Sequence, residues 1–462
     1  MANAREAAIE YLESNDHRFL DEFKAFVAIP SVSTLVESEP AIQQAAEWVA
    51  DHLKGIGVQE VRIIPTGGHP VVFGEVCSAN PAAPTVLVYG HYDVQPAEPL
   101  ELWMSGAFDA QVRGEHIYGR GVTDMKGQAL AAINALEAIL KTGQAPVHVK
   151  LLMEGEEEIG SKNMPDFIAS HKDLLACDLV LNPDTGMASE VLPAITYALR
   201  GMAFFELWVH GPDHDLHSGT FGGVVHNPAV ALCELVAGMH DAQGRVTLPG
   251  FYDRVREIGQ EERDELARLG MDEAYFKAQT GAPAVWGEQG YTPLERVWVR
   301  PTLEINGMLS DFTGGGRKTV LPAWATAKIS CRLVPDQDPE EVHQQMLAYL
   351  EAKAPPTITW KLHALGGSTA AISDRHSAGV LAMQDALQRV WKRQPVFRRE
   401  GGSVPVVGLF QRLLGVESVN TGFSSPGDNM HSPNEKLHLG NWRKGMQALV
   451  HFFYNLAEAG HE

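Results

Sequence analysis

The segment Thr85-Val86-Leu87-Val88-Tyr89-Gly90-His91 is an apolar run, rich in β-branched and aromatic side chains, that ends in glycine and histidine. Such a run predicts a strand that is buried on both faces, as the strands of parallel sheets are. The pattern recurs at residues 147–153, which precede Glu154-Gly155-Glu156-Glu157-Glu158, and at residues 178–181, which precede Asp184. The sequence therefore predicts an α/β fold in which metal-ligating residue types follow buried strands.

The carboxyl ends of these strands are expected to meet at one edge of a sheet. In open α/β sheets, ligands bind beyond these ends, so three strands would deliver His91, the glutamate run and Asp184 to one place. Asp124 reaches it differently, because it precedes residues 126–141, where apolar side chains recur at helical spacing. The Asp124 carboxylate could cap that helix or bind a metal ion.

Each of these side chains also has an ordinary structural interpretation. His91 could be a satisfied polar residue, Asp184 a turn residue, and His431, within residues 426–433, a loop histidine. Asp93 favours a ligand role for His91, because a ligating imidazole usually donates its other N–H to a carboxylate. The adjacent glutamates could form a solvated turn, yet carboxylates this close repel one another unless a cation holds them.

Histidine and carboxylate side chains of this kind suit zinc-like ions. Divalent ions of borderline softness bind imidazole nitrogen and carboxylate oxygen, and a pair about 3.5–4 Å apart can activate one water and polarise one carbonyl. Five of the side chains described above would complete the ligand set of such a pair. The sequence therefore predicts a hydrolase with two metal ions.

The same segments resemble the motifs of a known family. Residues 90–96 (Gly-His-Tyr-Asp-Val-Gln-Pro), 119–127 and 154–161 resemble, in that order, its first metal motif, its bridging-aspartate motif and its base-plus-ligand motif. This is the dinuclear zinc metallopeptidase family of carnosinase-type dipeptidases, glutamate carboxypeptidase, aminoacylase and succinyl-diaminopimelate desuccinylase. The resemblance runs nearly end to end and is closest to the carnosinase-like, cytosolic dipeptidase branch.

The resemblance implies a metal-binding role for five residues. It implies two Zn²⁺ per subunit, with Mn²⁺ or Co²⁺ as chemically acceptable alternatives. The implied ligands are His91 and Asp184 for one ion, Glu158 and His431 for the other, and Asp124 for both. The resemblance also implies a cis peptide at Asp124–Met125, and Asp93 is assigned as a catalytic residue that orients a ligating histidine.

Glu157 is implied to be the general base. Amide hydrolysis needs a proton removed from water and then delivered to the leaving nitrogen, and one carboxylate can carry that proton. Glu158 is less suited to the task, because a metal ion would hold it as an anion.

The middle of the chain has the pattern of a separate α+β module. Its predicted strands are residues 204–209 and 323–334, and its predicted helices are residues 226–240 and 338–354. An acidic, helix-prone insert at residues 254–290 carries no chemical signal. We therefore predict a catalytic domain at residues 1–200 and 373–462, with a mostly parallel central sheet flanked by helices. A smaller α+β lid and dimerisation domain at residues 201–372 interrupts it.

The resemblance further implies a homodimer and a substrate-binding set in the inserted module. His217 would act in the partner subunit's active site as a donor to the developing oxyanion. Arg332 would bind the terminal carboxylate of the substrate through its planar fork of donors. Thr319, Gly402 and Ser403 would add contacts to the substrate. On the residues alone, a loop histidine and a strand-end arginine in a surface ion pair explain His217 and Arg332.

The predicted function is metal-dependent hydrolysis of dipeptides or short peptides with a free C-terminal carboxylate, by a water between the two ions that Glu157 activates. An N-acyl-amino-acid deacylase is the alternative, because the same metals and base would cleave an acyl amide. A non-catalytic metal-binding scaffold is a third hypothesis, and the presence of the base and of every ligand argues against it.

Composition narrows the remaining classes of function. The formal net charge of −21 argues against nucleic acid and anionic membranes as partners, since both favour basic surfaces. No apolar run approaches the ~20 residues of a membrane span, and the polar amino terminus does not resemble a signal peptide. The 4 cysteines are scattered singly along 462 residues, which suits a reducing compartment. We therefore expect a cytoplasmic protein.

Overall fold

The polypeptide separates into two compact units. In this computed structural model, which describes residues 2–310, 312–402 and 404–459, the first unit comprises Met1–Tyr197, Ile372–Arg398 and Val404–Glu462. The second unit comprises Ala198–Ala371 and Arg399–Ser403. The assignment of catalysis to the first unit, and of a lid and dimer interface to the second, stays a prediction.

The first unit is built on a nine-stranded sheet with a parallel centre. Its path through the described residues runs along Glu60–Ile64, Val71–Val76, His148–Glu154, Thr85–His91, Leu179–Asn182, Glu417–Thr421, Ala194–Leu199 and Ala371–Ile372, and Val396–Glu400 also pairs with Ala194–Leu199. The four strands from His148–Glu154 to Glu417–Thr421 are mutually parallel. The strands that flank this group pair with it in antiparallel fashion.

The register of the parallel strands brings their carboxyl ends level. His91 lies beside Glu154, and Val88 lies beside Leu181. The strands Thr85–His91 and His148–Glu154 are buried along nearly their whole length, which explains why the sequence reads as continuous apolar runs. The predicted delivery of several strand ends to one edge is confirmed.

Helices cover the sheet of the first unit. They are Ala2–Ser14, Asp16–Val27, Glu39–Ile56, Lys126–Thr142, Met164–Ser170, Lys172–Leu175, Ala378–Trp391, Pro405–Leu414 and Leu439–Ala459, with single 3₁₀ turns at Val36–Ser38, Leu100–Leu102 and Glu157–Ile159. Helix Lys126–Thr142 is buried almost throughout, and its small residues permit close packing. A Cβ at Gly127 would lie 2.2 Å from the Val122 carbonyl oxygen, so only glycine fits there. A three-stranded sheet of Gln111–Arg113, His116–Tyr118 and Lys436–His438 completes the unit.

The second unit is an α+β module around a four-stranded antiparallel sheet. The strand order is Thr302–Ser310, Trp324–Leu333, Gly201–His210 and Thr359–Ser368, and a separate pair is formed by Leu216–His217 and Val320–Leu321. Its helices are Ser218–Phe221, Pro228–Ala237, Gln260–Ala267, Glu273–Thr280, Pro293–Trp298 and Pro339–Lys353. Burial alternates strictly along Gly201–His210, because one face packs on the core and the other does not.

The predicted fold class is confirmed by this mixed α/β architecture, and the structure refines two of the predicted segments. The helix predicted at residues 226–240 is shorter, Pro228–Ala237, because the Asn227 side chain caps it and Pro228 occupies its first position. The insert at residues 254–290 contains the two short helices Gln260–Ala267 and Glu273–Thr280. Among the described residues, no helix combines the length and apolar character needed to cross a membrane.

Candidate metal centre

Two groups of histidine and carboxylate side chains share one residue at the carboxyl edge of the sheet. They are His91, Asp124 and Asp184, and Asp124, Glu158 and His431, with the ligand atoms of each group within 4.8 Å of one another. His91 Nε2 lies 3.1 Å from Asp124 Oδ1 and 3.8 Å from Asp184 Oδ2. His431 Nε2 lies 2.8 Å from Asp124 Oδ2 and 3.3 Å from Glu158 Oε2. Each oxygen of Asp124 therefore faces a different group.

Asp124 does not cap the helix that follows it. The N-cap of Lys126–Thr142 is Met125, whose side chain makes no capping hydrogen bond. The Asp124 carboxylate instead contacts the two histidines His91 and His431, and the Asp124–Met125 peptide is cis, as predicted. The structure thus excludes the cap, one of the two interpretations that the sequence left open, and the ligand role of Asp124 stays a prediction.

The first and the third of the three consecutive glutamates have different environments. Glu156 accepts hydrogen bonds from Asn163 Nδ2, at 2.9 Å to each oxygen, and from the His69 backbone N–H at 3.2 Å. The Glu158 side chain is 3% exposed, and its Oε2 accepts from Gln95 Nε2 at 2.8 Å. Its Oε1 is buried without a hydrogen-bond partner among the described residues. Glu156 is thus occupied by protein donors, whereas Glu158 has an oxygen left for a ligand.

Asp93 connects His91 to the glutamate run. His91 Nδ1 lies 3.1 Å from the Asp93 carbonyl oxygen and 3.4 Å from its Oδ1. The Asp93 carboxylate also accepts the backbone N–H groups of Glu157 and Glu158, at 3.3 and 3.1 Å. The Nδ1–H of His91 therefore points to Asp93, which leaves the Nε2 lone pair for a metal ion.

The geometry and charge of the site fit two divalent ions. Ligands bound to one zinc ion at about 2.0–2.1 Å in a tetrahedron lie roughly 3.3 Å from one another, and the four distances given above bracket that value. Four carboxylates (Asp124, Glu157, Glu158 and Asp184) converge with two histidines, a set that needs cations for balance. The donors are nitrogen and oxygen only, which also suits Mn²⁺ or Co²⁺.

The protonation of the metal-free site reflects the same surplus of negative charge. Hydrogen bonds to Asp124 and Glu158 raise the pKa of His431 to about 10. Burial alone would raise the pKa of Asp124, but hydrogen bonds to His431 and His91 outweigh it and hold that pKa well below its usual value. Burial, followed by the nearby carboxylates, raises the pKa of Glu157 well above its usual value. In the absence of metal, protons therefore supply part of the missing positive charge.

The remaining predicted site residues lie in the second unit. His217 is exposed, and its Nδ1 accepts the Gly219 backbone N–H at 3.0 Å, so the neutral ring carries its proton on Nε2. The Thr319 carbonyl accepts the Ser218 N–H at 3.0 Å, which places Thr319 beside His217.

Arg332 and Gly402 lie elsewhere in the second unit. Half-buried Arg332 lies on strand Trp324–Leu333, opposite Met202 and Thr302. The Gly402 carbonyl accepts the Arg200 N–H at 3.2 Å. Ser403 lies outside the described residues. The structure thus brings His217 and Thr319 together, and it places Arg332 and Gly402 on separate segments of the second unit.

Comparison with known proteins identifies the family. Residues 87–455 match the model of Peptidase family M20/M25/M40. The chain belongs to this family. It is 30% identical to the Cys-Gly metallodipeptidase DUG1 of Candida albicans, with 97% of this chain and 96% of that protein aligned.

Solved structures extend the likeness to the whole fold. Human carnosine dipeptidase 1 is 29% identical, covers 98% of this chain with 99% of its own, and superposes with a TM-score of 0.80. The M20 family metallo-carboxypeptidase Sso-CP2 from Sulfolobus solfataricus is 31% identical, with coverage of 95% and 99% and a TM-score of 0.86. The predicted family, its carnosinase-type branch and the metallopeptidase class are confirmed.

Three residues near the ligands were not found from the sequence. They are Gln95, which donates to Glu158, and the buried pair Arg120 and Glu435, at 2.7 Å, next to Asp124. Gln95 lies inside the first metal motif, so its position could have indicated a contact with a ligand. Arg120 and Glu435 are 315 residues apart, and no local pattern connects them.

Proposed function

We propose that this protein is a metal-dependent dipeptidase that hydrolyses the amide bond of dipeptides or short peptides with a free C-terminal carboxylate. The observation that carries the proposal is the position of Asp124 between two histidine and carboxylate groups, each suited to one ion. The similarity to a Cys-Gly metallodipeptidase and to human carnosine dipeptidase 1 supports the dipeptide as substrate.

We assign the metal ligands as the five residues that the structure groups. His91, Asp124 and Asp184 would hold one ion, and Asp124, Glu158 and His431 the other, with zinc as the proposed metal. Ions bound there would lower the pKa of a water molecule and polarise the scissile carbonyl. Asp93 and Gln95 fix the orientation of His91 and Glu158, because each contacts one of these ligands.

Glu157 is proposed to move the proton. Its backbone N–H donates to Asp93. Among the described residues, no side chain or backbone group donates a hydrogen bond to the Glu157 carboxylate in the way that Asn163 and His69 donate to Glu156. Glu157 takes a proton from the attacking water and delivers it to the leaving nitrogen. In the metal-free site, burial and then the neighbouring carboxylates raise the pKa of Glu157 above its usual value, and ions bound to those carboxylates would offset their effect and leave Glu157 able to accept the proton.

The second unit is proposed to supply the substrate contacts and the dimer interface. The donor tautomer of His217, set by the Gly219 N–H, suits stabilisation of the oxyanion in the partner subunit's active site. Arg332 is proposed to bind the substrate carboxylate with its fork of N–H groups, supported by Thr319, Gly402 and Ser403. A cytoplasmic location is proposed because all four cysteines are free.

The decisive experiment is a substrate screen with metal-reconstituted protein. Zinc-, manganese- and cobalt-loaded samples would be tested on dipeptides, on longer peptides with a free carboxylate, and on N-acetyl and N-succinyl amino acids. We expect dipeptides to give the largest kcat/KM, and masking their carboxylate as an amide to reduce it strongly. A preference for N-acyl amino acids would overturn the dipeptidase assignment. Efficient removal of the last residue from longer peptides would favour a carboxypeptidase, the activity named for the similar Sso-CP2.

A further inference from the structure

A buried carboxylate lies directly behind the segment that ends in Asp124. Glu435 is fully buried, and its Oε2 accepts hydrogen bonds from Arg120 Nη1 at 2.7 Å and from the Gly121 N–H at 3.0 Å. Its Oε1 accepts the N–H groups of Thr123 and Asp124, at 2.9 and 3.2 Å. Four donors from residues 120–124 therefore converge on one side chain, which fixes the backbone that carries Asp124.

Glu435 also belongs to the segment that carries His431. The two residues are four positions apart, and the backbone around Glu435 is tied to the same loop as its side chain. The Glu435 carbonyl accepts the Gly119 N–H at 3.0 Å, and the Lys436 carbonyl accepts Thr123 Oγ1 at 2.7 Å. Any shift of Glu435 would therefore move the Asp124 and His431 segments relative to each other.

Arg120 extends this connection to a third segment. It is 1% exposed, and its Nη2 donates to the Pro96 carbonyl at 2.9 Å while Nη1 contacts Glu435. Pro96 closes the segment that begins with His91 and Asp93. One guanidinium thus joins the segment of His91 to the carboxylate that holds Asp124 and follows His431.

We propose that Glu435 and Arg120 are a positioning pair that sets the spacing of Asp124, His91 and His431. The inference rests on the proposed function insofar as these three residues are metal ligands. A buried ion pair is by itself weak evidence for a stabilising role, because desolvation of the two charges offsets their attraction. Here the partners join the three segments that carry Asp124, His91 and His431. Removal of the pair should therefore change the spacing of these residues more than it changes the rest of the fold.

Glu435→Gln tests the pair with little change in volume. The amide replaces one acceptor oxygen by an NH₂ group. In either orientation this NH₂ group faces Arg120 or a backbone N–H, so that two hydrogen-bond donors point at each other. We expect metal affinity to fall about 10–100-fold, as for other groups that orient metal ligands. Affinity would be measured by competition with a chromophoric zinc chelator. The visible spectrum of the cobalt-substituted protein should also change, because it reports the ligand geometry directly.

Glu288→Gln is the matched control. Glu288 forms a buried bidentate pair with Arg300, at 2.8 and 3.0 Å, in the second unit and on a segment without any proposed ligand. This variant should lose a comparable ion pair yet keep wild-type metal affinity and the wild-type cobalt spectrum. Wild-type affinity and spectrum in folded Glu435→Gln would overturn the proposal, and so would equal losses in both variants.

Arg120→Lys keeps the test decisive if Glu435→Gln does not fold. Lysine retains the charge but cannot contact Glu435 and the Pro96 carbonyl with two separate arms. We expect a smaller loss of affinity with an altered cobalt spectrum, and an unchanged spectrum would overturn the proposal. These readouts are independent of turnover. A wild-type protein that binds two ions but leaves dipeptides intact would refute the proposed function and not the positioning pair.

Discussion

Single residues at this site are distinguished by their hydrogen-bond partners rather than by their chemistry. Glu156, Glu157 and Glu158 are identical side chains in consecutive positions. Asn163 occupies the first, Asp93 fixes the backbone of the other two, and Gln95 and His431 contact the third. The proposed base Glu157 and the proposed ligand Glu158 therefore differ from Glu156 through tertiary contacts alone.

Replacing Glu157 by glutamine should abolish turnover and leave metal content intact. The amide cannot take up a proton from water, and loss of a general base typically costs about 10²–10⁴ in rate. Metal content by mass spectrometry and kcat on a dipeptide would be measured for the same sample. Glu156→Gln is the neighbouring control and should keep most of the rate, because Glu156 is held by Asn163. Comparable rates for the two variants would refute the assignment of the base.

Replacing Asp93 by asparagine should weaken metal binding. The amide removes one acceptor from a group that orients His91 and holds the N–H groups of Glu157 and Glu158. Loss of such an orienting carboxylate costs about 10–100-fold in metal affinity, measurable by chelator competition. Asp178→Asn is the control. Asp178 accepts the Thr85 N–H at 2.7 Å, at the end of strand Thr85–His91 that lies away from His91. Equal affinities in the two variants would contradict the role of Asp93.

At the scale of elements, the site depends on how closely neighbouring strand ends approach. Gly422 follows strand Glu417–Thr421, which runs parallel to Leu179–Asn182. A Cβ at Gly422 would lie 1.7 Å from the carbonyl oxygen of Thr185, the residue after Asp184. The two strand ends can therefore keep this approach only with glycine at position 422.

Gly422→Ala should destabilise the protein and displace Asp184. Overpacking usually costs about 1–3 kcal/mol, and a clash with backbone that cannot rotate away places this variant at roughly 3 kcal/mol or more. Unfolding in denaturant would give the free energy, and zinc titration the loss of affinity. Gly55→Ala is the matched control, since a Cβ there meets nothing within 4 Å in helix Glu39–Ile56. That variant should gain about 0.5–1 kcal/mol, and a loss similar to that of Gly422→Ala would contradict the steric explanation.

At the scale of the whole molecule, the metal ions are expected to balance a buried surplus of negative charge. Without them, burial and neighbouring carboxylates raise the pKa values of Glu157 and Asp184, and hydrogen bonds to Asp124 and Glu158 raise that of His431 to about 10. A group with a raised pKa in the folded state contributes stability at low pH that is lost as the pH rises. Asp124, with a lowered pKa, has the opposite sign and loses its contribution only under strong acid.

The stabilisation of the fold by zinc should therefore increase with pH. Between pH 5.5 and 8, metal-free protein should lose stability, because its carboxyl and imidazole groups with raised pKa retain protons that the unfolded chain releases, whereas the loaded protein should not. An ion at 1,000 times its Kd adds about 4 kcal/mol. Tm would be measured with zinc and with a chelator at several pH values. A gap between the two Tm curves that is constant, or that narrows with pH, would contradict this charge balance.

Assembly is testable through two variants that are each inactive alone. A heterodimer of His217→Ala and Glu157→Gln subunits, isolated with two different affinity tags, would contain one intact site if His217 acts in the partner subunit. We expect about half the wild-type activity per dimer, because one of two equivalent sites is restored. Absence of activity in a verified heterodimer, or a monomer in sedimentation, would refute action across the subunits.

The element types and the candidate ligands could be predicted from local patterns in the sequence and from the family motifs. Buried parallel strands appear in the sequence as continuous apolar runs, so the strand patterns indicated His91, the glutamate run and Asp184. The family resemblance then gave Asp124, Glu158, Asp184 and His431 their expected roles as ligands. Periodicity also indicated the α+β character of the second unit. These features are local because side-chain direction repeats every two residues in a strand and every 3.6 residues in a helix.

The convergence of the segments follows from packing between distant parts of the chain. Whether Asp124 caps a helix or faces two histidines depends on His431, 307 residues away, and the pair of Arg120 and Glu435 spans 315 residues. Such contacts form when packing brings distant segments together, and they leave no periodic pattern in the chain. The residue types near the candidate metal site can thus be predicted from the sequence. Their roles depend on the distant donors and acceptors that they contact.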